Sequence, residues 1–145
     1  MARRIMNHQT TIYITKTDRE RLGNLIQLVR SQDDRAHLSY VNRLEEELEE
    51  AEIVAPEAIS PDVVTMRSKV KLKDLDTGDV RVYSIVFPTE ANSDEGKISI
   101  LAPLATALLG YRRGDMVEFQ APSRVRRLKI EEILYQPESS GDFDL

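Results

Sequence analysis

The spacing of apolar residues changes period once along this chain, and that change limits the folds open to it. Between residues 18 and 54 apolar side chains recur every three or four positions; from Val63 onward they alternate with polar ones. The first spacing paints one stripe along a helix, and the second makes one face of a strand. Pro56 and Pro61 stand at the switch, where a helix has to stop. The expectation is an α+β protein with a helical region over 1–55 and a sheet region over 56–145.

In the first region Thr17 is placed to cap a helix, with Glu20 three residues on, the spacing of a capping box. Leu22, Leu25, Ile26 and Val29 form one stripe, the polar run Ser31-Gln-Asp-Asp34 favours a turn, and Leu38, Val41, Leu44, Leu48 and Ala51 form a second stripe. Two striped helices joined by a short turn bury their apolar faces on each other, so an antiparallel helical hairpin, a short coiled coil, is expected. Helix one, at about 13 residues, spans roughly 20 Å. Six of the eight residues from Glu45 to Glu52 are Glu; an antiparallel partner brings Arg19 and Arg21 within reach, each exposed pair contributing only ~0.2–1 kcal/mol. Most of these acids equally suit a plain solvated face.

In the second region Lys69, Lys71 and Lys73 alternate with Val70 and Leu72, and Asp76-Thr-Gly-Asp79 turns the chain into a return strand from Val80 to Phe87. Glu90 to Lys97 reads as loop and Ile98 to Leu101 as a short strand; a helix starts at Pro103 and Gly110 ends it. Met116 to Gln120 and Arg124 to Tyr135 supply the last strands, with Leu128, Ile130 and Leu134 facing one way and Arg127, Lys129 and Glu131 the other. The tail from Glu138 is expected to fray. The sum is a twisted antiparallel sheet of about five strands with one short helix packed on it.

Composition excludes several function classes. Among 145 residues there is no cysteine, so no disulfide scaffold, thiolate zinc site or cysteine nucleophile is available. A net charge of −5 argues against a duplex-nucleic-acid binder held by phosphate neutralisation. The longest apolar stretch, Ile98 to Leu109, is interrupted by Ser99, Pro103 and Thr106 and falls short of the ~20 residues that span a bilayer. No signal core follows Met1-Ala-Arg-Arg, so a cytoplasmic protein without membrane contact is expected. His8 and His37 each lack the companions of a metal site, and neither a phosphate loop nor a nucleophile elbow is present. No catalytic, cofactor or metal residue is assigned. Two features stay open. Asp33 and Asp34, at the hairpin tip, can lend oxygens to a Mg²⁺ held elsewhere or simply make a polar turn. The strand-borne bases Arg67, Lys69, Lys71, Lys73, Arg124, Arg126, Arg127 and Lys129 can form a docking face or keep sheet edges soluble.

Several phrases together resemble one family: Asp62-Val-Val-Thr-Met-Arg-Ser-Lys-Val-Lys71, Gly78-Asp-Val-Arg-Val82, Leu101-Ala-Pro103 with Ala107-Leu-Leu-Gly110, Gly114-Asp115, and Leu134-Tyr-Gln-Pro-Glu138 with Gly141-Asp142. They are similar to the Rnk proteins, regulators of nucleoside diphosphate kinase. Ile98-Ser-Ile-Leu-Ala-Pro-Leu-Ala105 with Ala107-Leu-Leu109 also resembles the FKBP-like C-terminal domain of the Gre transcript-cleavage factors. The resemblance spans about residues 60–142 closely and the helices in architecture. It implies a non-enzymatic regulator of transcription that docks on RNA polymerase at the rim of the secondary channel and competes with Gre factors. The implied contact is Leu101, Ala102 and Pro103, where Gre proteins tend to carry Asp-Ser-Pro or Asn-Ser-Pro. Any family-level link to DNA then runs through the polymerase, without direct sequence-specific contact, and a monomer without cofactor is expected. Gre tips present an Asp and, three residues on, a Glu that hold the second catalytic Mg²⁺. Here His37 stands three residues after Asp34, and the helices are shorter, so binding without RNA cleavage is expected. An active cleavage factor using Asp33 and Asp34, a prolyl isomerase and a polymerase-free adaptor are the alternatives.

Overall fold

Helix α1 (Lys16–Ser31) begins earlier than its apolar pattern suggests. The cap is Thr15 rather than Thr17: its hydroxyl accepts the Asp18 backbone N–H at 3.0 Å. Thr15 is free to cap because the chain before it is extended, forming strand β1 (Tyr13–Thr15). The computed structural model describes residues 11–32 and 35–143, so Asp33, Asp34 and His8 lie outside the described residues. Helix α2 (Leu38–Glu50) ends before the expected 54, because Glu52–Val54 form strand β2 and pair in parallel with β1. The Glu52 N–H donates to the Ile12 carbonyl at 2.9 Å, drawing the end of α2 to the start of α1.

The two stripes meet as their spacing requires. Leu22, Ile26 and Val29 of α1 and Val41, Leu44 and Leu48 of α2 are buried, while Leu38 is more than a third exposed. The Glu run is met by Arg30, whose guanidinium donates to both Glu45 carboxylate oxygens at 2.9 and 3.0 Å and to Asn42 Oδ1 at 2.8 Å. Arg19 adds to the field on Glu45.

The sheet contains β3 (Lys69–Asp74), β4 (Val80–Val86), β5 (Lys97–Ser99), β6 (Met116–Gln120) and β7 (Val125–Tyr135), in the order β5-β4-β3-β7-β6. Pairing is antiparallel except at one edge, where β5 runs parallel to β4. This departs from a wholly antiparallel sheet because residues 87–96 fold through two 3₁₀ turns, at Pro88–Glu90 and Ser93–Glu95, and return the chain to the starting end of the edge. The lysines of β3 face outward and Val70 and Leu72 inward, as their alternation predicts.

Strand β7 shifts phase. Its register against β3 jumps between the Lys71–Glu132 and Leu72–Ile130 pairs, and again between Lys69–Tyr135 and Val70–Ile133. Glu131 and Leu134 are therefore extra residues. A bulge turns every later side chain to the other face, so Ile133 packs on the core and Leu134 is 48% exposed, opposite to the orientation expected for it.

Helix α3 (Pro103–Leu108) buries Ala105, Ala107 and Leu108. With it, the stripes of α1 and α2 and the inner face of the sheet form one continuous apolar cluster that also takes in Ile12 and Ile14. The tail does not fray at its start: Glu138–Ser140 make a 3₁₀ turn, and buried Gln136 donates from Nε2 to the Ser60 and Val63 carbonyls, both at 2.8 Å.

Gly110 is a necessary joint in this arrangement. Its φ is +85°, its carbonyl accepts the Tyr13 N–H at 3.2 Å, and an added Cβ would sit 2.9 Å from Ile12 Cβ. Gly110→Ala therefore carries both left-handed strain and a clash. Chemical denaturation is expected to show a loss of about 1–3 kcal/mol, as for a strained non-glycine backbone.

Candidate functional site

The segment expected to make a contact lies between β5 and α3. Ile100 is buried, with its N–H donating to the Val86 carbonyl at 2.8 Å and its carbonyl accepting the Thr106 hydroxyl at 2.6 Å. Leu101 is only 8% exposed and belongs to the core. Ala102 and Pro103 are half-buried. Ala102 is the N-cap of α3, with no side chain able to cap, and Pro103 fills the first turn, where its missing N–H has no consequence. The loop is rigid for its length: the Ala102 N–H donates to the Ser99 carbonyl at 2.9 Å and the Leu101 N–H to Ser99 Oγ at 3.1 Å. A cavity of about 250 Å³ opens beside Leu104, the residue after Pro103, and its aromatic lining is Tyr83 alone. An isomerase pocket walled by several rings is not what these residues build.

The basic strand face is largely neutralised. Arg126 donates to Asp74 through Nε and Nη2 at 3.2 and 2.8 Å, Arg127 to Asp76 at 2.6 Å, and Arg124 to Asp76 at 3.3 Å. Lys71 meets Glu132 at 3.9 Å, and Lys129 meets Glu131 at 3.7 Å. The hydrogen bond from Arg126, with those from the Asp76 and Thr77 amides, holds the Asp74 carboxyl down at about 2. Arg67 is the one described non-glycine residue with positive φ, +65°. Its guanidinium grips Glu90 at 2.8–3.2 Å and lies 5.3 Å from the Phe87 ring centre, while its N–H donates to Ile85 at 2.6 Å. Six of the eight bases thus serve local ion pairs, so this face is a poor match for a continuous positive docking surface.

A second group lies where α1 meets the sheet region. Asp18 is 4% exposed, and its carboxylate accepts the Met66 N–H at 3.1 Å. Glu138, across the seam, accepts the Thr65 hydroxyl at 2.7 Å, and Tyr135 donates its hydroxyl to Asp142. Burial pushes the Asp18 carboxyl up to about 6; the nearby Glu138 charge adds to this, while Met66, Arg21 and Thr15 oppose it. The Tyr135 hydroxyl is pushed up to about 12, chiefly by its hydrogen bond to Asp142. Among the described residues no three His, Cys, Asp or Glu side chains are grouped to hold a metal, and no helix is long and apolar enough to cross a membrane.

The family described as "Rnk N-terminus" matches residues 10–54, and the one described as "Transcription elongation factor, GreA/GreB, C-term" matches residues 59–135. The chain is 38% identical over 134 residues to the Escherichia coli K12 protein called "Regulator of nucleoside diphosphate kinase", covering 92% of this chain and 96% of that one. The chain belongs to the Rnk family. It is also 38% identical over 95 residues to the transcription elongation factor GreA of Bartonella henselae, covering 66% of this chain and 60% of that protein. Among solved structures, a prokaryotic transcription elongation factor GreA/GreB from Nitrosomonas europaea superposes with a TM-score of 0.71 at 36% identity, covering 86% of this chain and 98% of that one. The Rnk-family chain thus shares the Gre arrangement of helices followed by a curled sheet.

Asp18, Gln136 and Glu138 tie distant parts of this Rnk-family fold together; Gln136 and Glu138 enter the expectations from sequence only as part of a family phrase, and Asp18 not at all. A signal existed for one: Thr15-x-x-Asp18 is itself a capping-box spacing, displaced by two residues from the one expected. Asp18 sets a test with a definite sign. Its carboxyl loses its proton near 3.8 when unfolded and near 6 when folded, so folding takes up a proton between those values. That stabilisation is complete below about pH 3.8 and is lost as pH rises through about 6, by at most ~3 kcal/mol. Urea titrations from pH 4 to 7.5 should therefore show wild-type stability falling relative to Asp18→Asn, which has no such proton to lose. Parallel curves for the two proteins would contradict the assignment.

Proposed function

We propose that this Rnk-family chain is a non-enzymatic regulator that binds RNA polymerase at the rim of the secondary channel, competes there with Gre-type factors and does not stimulate RNA cleavage. The observation that carries this reading is the GreA/GreB C-terminal match over 59–135, together with a rigid, partly exposed Ala102-Pro103 edge where the Gre contact falls by resemblance. The contact is the Leu101–Pro103 segment, with Leu101 as its internal anchor and Ala102 and Pro103 as its outward surface. Two finer readings go with it. The helices form an antiparallel hairpin, supported by Arg30 near the end of α1 reaching Asn42 in the second turn of α2 and Glu45 at its middle. The sheet is FKBP-like, and the modules divide at 55/56.

Absence of cleavage follows from reach and chemistry. Helix α1 has 16 residues, three more than expected, and rises ~24 Å; the coiled coils of cleaving Gre factors are longer. A carboxylate assists only with its Mg²⁺ in direct contact, at ~2.0–2.1 Å. His37 replaces the second tip acid. The protein then works wherever the polymerase does, in the cytoplasm, as a monomer without cofactor.

The test is co-purification with core RNA polymerase, followed by stalled elongation complexes. Ala102→Asp is the variant of choice, because aspartate is favoured at an N-cap and the fold should hold; Leu101→Asp would bury a carboxylate and is unsuitable. Wild type is expected to bind and Ala102→Asp to bind at least about tenfold more weakly. RNA in stalled complexes should shorten no faster with the protein than without it. Faster shortening would favour a cleavage factor using Asp33 and Asp34, and failure of wild type to associate would end the docking reading.

A further inference from the structure

Arg67 holds a left-handed backbone position, φ +65°, that glycine would occupy without steric cost. A long side chain kept in such a place directs attention to what it reaches. The guanidinium forks onto one acid, with Nε 3.2 and 3.1 Å from Oε1 and Oε2 of Glu90 and Nη2 2.8 Å from Oε2. Its backbone is fixed too, because the Arg67 N–H donates to the Ile85 carbonyl and the Ser68 carbonyl accepts the Ile85 N–H at 3.1 Å. The clamp is therefore anchored beside β4 and closes on the turn that follows it.

Glu90 ends the Pro88–Glu90 turn, and its Oε1 also accepts the Phe87 N–H at 3.3 Å. That turn packs against β5. Strand β5 has three residues and pairs only with β4, at the edge of the sheet, so its own ladder holds it weakly. The next segment hangs from it: the Ser99 carbonyl and Oγ accept the Ala102 and Leu101 N–H groups at 2.9 and 3.1 Å. The Arg67 and Glu90 side chains stay 26% and 36% exposed, a setting in which an ion pair adds little to global stability. Its effect is expected at the corner it joins.

We propose that Arg67 is a positioning residue: through Glu90 it fixes the Pro88–Glu90 turn, and with it the seat of β5 and of the Ala102-Pro103 edge, without forming part of that edge. The placement stands on the geometry; its consequence for binding rests on the polymerase-docking reading.

Two arms test this with the full chain, using Arg67→Gly, Glu90→Ala and the double variant. Arg67→Gly keeps the left-handed turn and removes the grip. Native-state hydrogen exchange reads the placement, with the Lys97, Ile100 and Ala102 amides reporting on the corner and Val70 and Ile130 on the whole sheet. Each single variant is expected to speed the first three at least about tenfold and the last two less than about threefold. The double variant should exceed neither single, since one clamp is lost once. No local change, an equal change at all five amides, or additive singles would overturn the proposal. Binding to core RNA polymerase then separates position from contact. Both singles should weaken it about threefold or more, because a loosened edge has to be ordered on binding. Loss with Arg67→Gly but not with Glu90→Ala would make Arg67 a direct contact and overturn the proposal, as would no loss with either. If wild type does not bind, the docking reading falls and the exchange result alone decides the placement.

Discussion

A buried carboxylate at a seam organises this molecule. Asp18 sits in the first turn of α1, yet its oxygen accepts an N–H from Met66, 48 positions away on the sheet side. An acid in that place completes the helix start, since Thr15 caps the same turn, and it also satisfies a backbone donor that would otherwise be buried without a partner. The β1–β2 pair and the Gly110–Tyr13 contact close the seam on either side. The helices and the sheet therefore share one apolar core. For a protein proposed to seat one end on a partner and project the other, this matters: the direction of the helices is set by packing and not by a hinge.

The surface follows a complementary rule. Most strand-borne bases are matched by acids nearby in space, two of them being Asp74 at the end of β3 and Asp76 in the turn that follows. Such pairs contribute little stability each when exposed, but they cancel long-range charge, in keeping with a protein that carries net −5 and is expected to contact protein more than nucleic acid. Against that neutral background, the half-buried Ala102-Pro103 edge is the local feature on which the proposed docking rests.

Much of this was legible in the sequence because it is periodic. The stripes of α1 and α2, the alternating lysines of β3, the Pro103 start and the Gly110 stop all appear where spacing placed them. What escaped is aperiodic or non-local. Strands β1 and β2 have three residues each, too few for alternation to register, and each needs the other to exist. The bulges at Glu131 and Leu134 arise from register against β3, which β7 alone does not encode. Asp18 carries no pattern signal for its role at the seam because its partner is a backbone group far along the chain. In the segment proposed to dock, the inward turn of Leu101 and the half-burial of Ala102 and Pro103 needed the structure to be seen.

The shared core across the seam is the claim on which the rest depends, and native-state hydrogen exchange tests it most directly. Amides of Leu22 and Leu44 report on the helices, and those of Val70 and Ile130 on the sheet. A common core predicts that all four exchange through the same global opening, with matching free energies and denaturant dependence. Leu22 and Leu44 exchanging through a separate, cheaper opening while Val70 and Ile130 stay protected would contradict it.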